Sequence, residues 1–97
     1  MLTMSKRAEE RLKQALKENS RDPRKGIRLI LTPMDQPPFS FILDEADRGD
    51  QVVKGREGSQ VLIVGEGLAS ALGNIVIDYL DTPHGSGFTF FRSEPVN

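Results

Sequence analysis

The residue best suited to acid–base or metal chemistry in this chain is His84, its only histidine. It stands in the run Pro83-His84-Gly85, with Asp81 close by in sequence. An imidazole can act as a base or bind a metal ion, but a metal site needs several donors, and the chain contains no cysteine. The sequence therefore predicts a solvated loop histidine, and His84 is a metal candidate only if other donors join it.

Two groups of charged residues could also do chemistry. The acidic group lacks the ligand spacing and the closing glutamate of a calcium loop, and no apolar pocket accompanies it for acid–base work. The basic group could contact phosphate, but no aromatic residues lie within it for base stacking. We therefore predict a solvated surface for both, and no nucleic-acid partner. The acidic group is Asp44, Glu45, Asp47 and Asp50, and the basic group is Arg21, Arg24, Lys25 and Arg28.

A third candidate is the proline-rich run 33–38 with the residues that flank it. Three prolines stiffen this segment, which lowers the entropy of the free loop and could pre-organise a binding surface. Its candidate contact residues are Met34, Asp35, Gln36 and Phe39. The other interpretation is a rigid turn that only protects the edge of a sheet. The sequence leaves both interpretations open.

Composition narrows the classes of function. A length of 97 residues predicts a single domain, residues 1–97. The net charge of −1 provides no global field to attract nucleic acid, and no apolar run is long enough to span a membrane. Residues 1–11 lack the apolar stretch of a secretory signal, and the absence of cysteine removes disulfides and thiolate chemistry. We therefore expect a cytoplasmic protein.

Hydrophobic periodicity predicts two helices. The first begins at a Ser5 cap and runs to about Asn19, with its apolar face formed by Ala8, Leu12, Ala15 and Leu16. The second is short, covers Gly65 to Leu72, and is expected to turn Leu68, Ala71 and Leu72 inward.

Alternating and apolar runs predict about six or seven short strands. A loop is expected over 81–87, with a final strand from Phe88 to Phe91 and a polar end from Arg92 to Asn97. The order of elements predicts an α+β fold in which the strands form a mixed β-sandwich. The other predicted strands lie near Leu2–Met4, Ile27–Thr32, Phe39–Asp44, Val52–Val53, Val61–Val64 and Ile75–Leu80.

In this order the segments resemble the A-type iron–sulfur carrier family, also called the HesB-like domain, over nearly the whole chain. Gly26-Ile27-Arg28-Leu29 is similar to the family's Gly-Leu-Arg-Leu strand, and Ile77-Asp78-Tyr79 to its Leu-Asp-Phe/Tyr strand. Gly87-Phe88-Thr89-Phe90 is similar to its Gly-Phe-x-Phe end. The remaining similarities are Leu2-Thr3-Met4-Ser5, Phe39 to Leu43, and Val61 to Val64 followed by Leu68.

The departures from the family concern its ligands. Where the family has a cysteine in a Gly-Cys-Ser-Gly loop, counting from Arg28 places Gln36, with Asp35 and Pro37 beside it. The family's later Cys-Gly-Cys pair would fall beyond Asn97, where this sequence ends. Iron–sulfur clusters are held mainly by thiolates, and Gln36 is a neutral amide. The resemblance therefore implies the fold with a degenerate ligand site.

From these observations we expect a non-enzymatic protein-interaction domain with no cofactor and an unidentified protein partner. The resemblance allows a homodimer. The alternative is an accessory protein of iron–sulfur assembly or iron binding, with His84 joined by Asp35, Asp81 or Glu94, or with thiols supplied from outside. An enzyme is the weakest hypothesis, because no nucleophile–base pair or phosphate loop is evident.

Overall fold

The computed structural model describes residues 2–34 and 39–92, which form two helices and seven strands. The predicted α+β fold, a mixed β-sandwich with two helices, is confirmed. In chain order the elements are β1 (Leu2–Met4), α1 (Lys6–Asn19), β2 (Lys25–Leu31), β3 (Phe39–Glu45), β4 (Gln51–Lys54), β5 (Gln60–Val64), α2 (Glu66–Leu72), β6 (Ile75–Thr82) and β7 (Gly85–Arg92).

The strands form two mixed sheets. The smaller sheet has the order β1-β6-β7, with β1 parallel to β6 and β6 antiparallel to β7. The larger has the order β3-β2-β5-β4, with β2 parallel to β5 and the outer strands antiparallel to their neighbours. β4 and β5 form an antiparallel hairpin, with a register shift after Val53.

The core lies where α1 packs against strands of both sheets. Leu12 on the predicted apolar face of α1 is buried, as are Leu29 on β2 and Ile77 on β6. Ala8 is buried as well, while Ala15 and Leu16 lie at the margin of the helix–sheet contact. No helix in the described part of the chain is long and apolar enough to cross a membrane.

The start of α1 is fastened to β6 by one serine and one aspartate. The Ser5 hydroxyl accepts a hydrogen bond from the Ala8 backbone N–H at 3.1 Å, which caps the helix. The same hydroxyl donates to the Asp78 carboxylate, and the Ser5 N–H donates to the Ile77 carbonyl at 2.8 Å. The Ser5 hydrogen bond, a backbone N–H from Tyr79 and the nearby Arg7 lower the pKa of Asp78.

The face of α2 that packs against the core differs from the predicted face. Leu68 and Leu72 are partly buried against the core as expected, but their companion is Ala69, and Ala71 is exposed. Ala69 and Ala71 lie on either side of the Leu68–Leu72 line, so both arcs satisfy the helical period. Packing against the sheets selects between these two arcs.

The predicted loop over 81–87 is wrong. β6 continues to Thr82 and β7 begins at Gly85, so that only Pro83 and His84 form the turn. The Thr82 hydroxyl donates to the Gly85 carbonyl at 2.7 Å, and Gly85 has a φ of 131°, which favours glycine. All residues from Leu80 to Gly87 are exposed, so this hairpin end has no buried face and its strands show no hydrophobic alternation.

The predicted solvated surface around Arg28 is also wrong. The Arg28 guanidinium donates to the Asp44 carboxylate at 2.6 Å and to both Asp50 oxygens at 2.6 and 3.3 Å. It links β2, β3 and the turn before β4. The Arg28 side chain is only 15% exposed and that of Asp50 only 10%. Because Arg28 donates hydrogen bonds to both carboxylates, it lowers the pKa of each.

This cluster of Arg28, Asp44 and Asp50 makes stability dependent on pH. Carboxyl groups with a lowered folded-state pKa stabilise the fold above their unfolded pKa of about 3.9, and that contribution is lost as the pH falls through the lower folded value. We expect Arg28→Gln to unfold at lower urea concentration than the wild type at pH 7, because two carboxylates lose their counterion. Below about pH 4, protonation of the carboxylates should reduce the difference in stability between Arg28→Gln and the wild type.

Urea unfolding at pH 7 and pH 3 measures both effects. Arg48→Gln is the matched control, because Arg48 lies in the turn between Asp44 and Asp50 and makes no ion pair with the described residues. An equal loss of stability in Arg28→Gln and Arg48→Gln would contradict a specific role of the cluster. So would a stability difference between Arg28→Gln and the wild type that does not change with pH.

Candidate functional site

The proline-rich segment joins the end of β2 to the start of β3. Of its four candidate residues, Asp35 and Gln36 lie outside the described residues, whereas Met34 and Phe39 are described. Met34 is 93% exposed, and Phe39 is half-buried as the first residue of β3. The flank at Met34 is therefore exposed to solvent, whereas the flank at Phe39 is packed against the fold.

Aromatic rings anchor that second flank. The Phe39 and Phe90 ring centroids are 4.6 Å apart, and those of Phe41 and Phe88 are 4.8 Å apart. Phe88 also meets Tyr79 edge-on at 4.9 Å. Because β3 and β7 belong to different sheets, these contacts join the two sheets at one side of the sandwich. They also bring the start of β3 next to the C-terminal end of β7.

Several apolar side chains are exposed around this junction. Leu31, the cross-strand partner of Phe39, is 53% exposed, and Phe91, the neighbour of Phe90, is 50% exposed. Met34 follows Leu31 by three residues, and Phe91 points to the opposite face of β7 from Phe90, so these exposed side chains lie at the same end of the sandwich as the Phe39–Phe90 contact. We call this surface the apolar end, and define it as Leu31, Met34, Phe39, Phe90 and Phe91. Clustered exposed apolar residues on a small domain are typical of an interaction surface.

Sequence reasoning identified Met34 and Phe39 but not Leu31 or Phe91. A signal for Phe91 was present, since the adjacent residues Phe90 and Phe91 must point to opposite faces of a strand, so only one of them can face the core. Leu31 had the weaker signal of an apolar strand end next to Pro33. Its exposure depends on how far the core extends along β2.

His84 is not part of the apolar end. It is exposed in the turn before Gly85, and Gly85 lies about 17 Å from Phe90 along β7 at roughly 3.4 Å per residue. Asp81, one proposed companion of His84, accepts a hydrogen bond from the Ser86 hydroxyl. The other two, Asp35 and Glu94, lie outside the described residues. The structure thus separates His84 from Met34 and Phe39.

The described residues show no set of donors for an iron–sulfur cluster or a metal ion. No three histidine, cysteine, aspartate or glutamate side chains within residues 2–34 and 39–92 come together as a metal site. The 97 residues also contain no thiol, the donor that such clusters require. No chemistry that passes through a cluster held by this chain's own cysteines can therefore be assigned to it.

The two flanks of the proline-rich segment should respond differently to mutation. We expect Phe39→Ala to lower the free energy of unfolding by about 2 kcal/mol, roughly half the value for a fully buried phenylalanine, because its contact with Phe90 is lost. Met34→Ala should stay within about 0.5 kcal/mol of the wild type, as is usual for exposed positions. Urea denaturation of both variants measures the difference, and equal effects would contradict the anchoring role of Phe39.

The solved structures that are similar to this chain include those of SufA and IscA. The crystal structure of Escherichia coli SufA, described as involved in the biosynthesis of iron–sulfur clusters, matches with a TM-score of 0.65 and 20% identity. The match covers 94% of this chain and 84% of SufA. The crystal structure of IscA with a [2Fe-2S] cluster matches with a TM-score of 0.63 and 16% identity, covering 95% and 85% of the two chains.

The comparisons of sequence, by contrast, find no match. No protein-family model matches the chain, and no curated protein matches it. At 16–20% identity the likeness to SufA and IscA concerns the fold. The resemblance inferred from short motifs is confirmed at that level: the chain has the fold of the A-type iron–sulfur carriers, without any cysteine.

Proposed function

We propose that this chain is a single non-enzymatic interaction domain that holds a protein partner at the apolar end and binds no cluster through thiols of its own. The observation that carries the proposal is the Phe39–Phe90 contact at 4.6 Å together with the exposure of Leu31, Met34 and Phe91 at the same end of the sandwich. Because this contact is packed between the two sheets, it gives a partner a rigid apolar surface.

The make-up of the apolar end suits association with a protein. Aromatic residues and methionine are enriched at the centres of protein interfaces, where they bury much area and tolerate adjustment. Met34, almost fully exposed, is free to change rotamer against an incoming surface. Covering Leu31, Met34 and Phe91 would remove apolar area from water at about 25 cal/mol per Å².

The proposal also explains how the fold of a carrier could remain useful without its ligands. IscA is described with a [2Fe-2S] cluster, whereas this chain has no thiol to hold one. A surface that recognises proteins does not need those ligands. Asp35 and Gln36, which lie outside the described residues, would add polar contacts beside Met34. The partner could be a second copy of the chain, and a reducing cytoplasm suits a cysteine-free domain.

Two double variants test the apolar end. Leu31→Ser with Phe91→Ser removes two of its exposed side chains, whereas Ile42→Ser with Leu80→Ser removes two exposed apolar side chains elsewhere on the sheets. We expect the first to weaken capture of the partner by at least about tenfold, which corresponds to roughly 1.4 kcal/mol. The second should capture it as the wild type does.

The measurement is quantitative mass spectrometry of proteins retained by each immobilised variant, with sedimentation velocity to detect self-association. Thermal unfolding of both variants confirms that they are folded. If the two variants retain the same proteins in the same amounts, and neither changes the sedimentation coefficient, the apolar end is not the interaction surface.

The absence of cluster binding is tested by anaerobic reconstitution of the purified protein with iron and sulfide, with and without glutathione. We expect a colourless protein that retains neither iron nor acid-labile sulfide after desalting, because the chain supplies no thiolate. A stable brown species with near-stoichiometric iron and sulfide would contradict this. It would instead support the alternative, an accessory role in iron–sulfur assembly with external thiols.

A further inference from the structure

A second feature of the structure is a cavity at the other end of β2 from the apolar end. It has a volume of about 760 Å³ and lies between the second half of α1, the segment that leads into β2, and the turn between β4 and β5. Lys25, the first residue of β2, borders it, whereas Leu31 at the other end of that strand belongs to the apolar end. Its volume falls in the range of small-molecule sites, about 300–1,000 Å³.

The cavity is lined by an excess of positive charge. Lys13, Lys17, Arg21 and Lys25 border it, against the two carboxylates of Asp22 and Glu57. The whole chain has a net charge of −1, so this is a local concentration of cations. Such a concentration raises the local population of anions, and salt screens its effect only beyond about 10 Å.

Both carboxylates already have cationic partners. The Asp22 carboxylate accepts from the Arg24 side chain at 3.1 and 3.2 Å and from the Arg24 backbone N–H at 2.9 Å, which lowers the pKa of Asp22. Glu57 accepts from Lys13 at 3.0 Å. Lys13 also lies 4.0 Å from the Glu9 carboxylate, so two carboxylates already share its charge. Lys17 and Arg21 are therefore the better candidates to bind an anion.

Lys17 and Arg21 have no such partners. Neither makes a hydrogen bond or an ion pair with any described residue. Lys17 lies in the last turn of α1, where the helix dipole favours a cation, but Arg21 lies beyond the helix end at Asn19 and has no comparable role. The carbonyls of Ala15 and Leu16 in that last turn accept from Asn19 and Ser20, so neither is left for these cations.

We propose that this cavity binds a small organic phosphate, with Lys17 and Arg21 holding the phosphate oxygens. A guanidinium donates two parallel hydrogen bonds to phosphate, and a lysine ammonium adds a mobile charge. The Ser59 hydroxyl at the rim is a further donor. This site is independent of the apolar end and of the function proposed there.

An organic phosphate fits better than an inorganic ion because the cavity also has apolar walls. Leu16 and Pro23 form part of its lining, and a volume of about 760 Å³ far exceeds that of one phosphate group. At Gly58 in the β4–β5 turn no atom lies within 4 Å of the position that a Cβ would take, so that side is open. The body of the ligand would lie against Leu16 and Pro23, with its phosphate towards Lys17 and Arg21.

Titration with ADP, inorganic pyrophosphate and adenosine tests the proposal, with ¹H–¹⁵N NMR as the readout at constant ionic strength. We expect saturable shifts from ADP in backbone amides of the second half of α1 and of residues 57–60. Pyrophosphate should bind more weakly than ADP, and adenosine, which carries no charge, should cause no saturable shift.

The variant Lys17→Gln with Arg21→Gln should weaken ADP binding by at least about tenfold, since two charge-assisted contacts are lost. The control is Lys6→Gln with Arg48→Gln, which removes the same net charge outside the cavity and should bind within about twofold of the wild type. All four positions are exposed, so melting temperatures should change little.

Three results would overturn the proposal. The first is the absence of saturable shifts with ADP, and the second is an equal loss of affinity in both double variants, which would indicate attraction by net charge alone. The third is binding of pyrophosphate as tight as that of ADP, which would rule out a role for the organic body. None of them bears on the apolar end, whose residues are unchanged in these variants.

Discussion

The packing of β3 against β7 through phenylalanine rings is the contact on which the rest of the arrangement depends. α1 contacts strands of both sheets, but it does not hold together the side of the sandwich where β3 and β7 are edge strands. There Phe39 and Phe41 meet Phe88 and Phe90. Offset and tilted ring pairs combine area burial with a preferred geometry. They fix the distance between the sheets and place the proline-rich segment beside the last strand.

Most of the fold could be predicted from the sequence, because α1 and the central strands each have one buried face and a clear period. Prediction failed where burial leaves no periodic pattern of apolar residues in the sequence. The hairpin end from Leu80 to Gly87 is exposed on both faces, and its polar and glycine residues pair without a core. Which side of α2 faces the core is decided by packing against the sheets and not by the helical period. The pairing of Arg28 with Asp44 and Asp50 joins residues 16 and 22 positions apart, which no local rule can detect.

The candidate site was predictable in part, for a related reason. Met34 could be recognised from its place among prolines, and the separation of His84 from the other candidates follows from strand direction once β7 is known. The exposure of Leu31 could be recognised only when the limit of the core was known, whereas the adjacent residues Phe90 and Phe91 already indicated that one of them faces outward. The cavity beside α1 was predictable only in part, because Arg21 and Lys25 belong to the basic group of the sequence, whereas Lys13 and Lys17 come from α1 and join them only in the folded chain. The absence of thiols, by contrast, could be read directly and limits the chemistry more than any contact does.

The parallel pairing of β1 with β6 has a consequence for how the protein is made. Leu2 pairs with Ile75, so β1 has no partner until the residues of β6, more than seventy positions later, have been synthesised. Contacts between such distant positions close late and slow the folding of the whole domain. During that interval Leu2 and the apolar face of α1 are uncovered, and the nascent chain depends on its charged residues to stay dispersed. The synthesis of β6 thus determines when β1 can join the sheet.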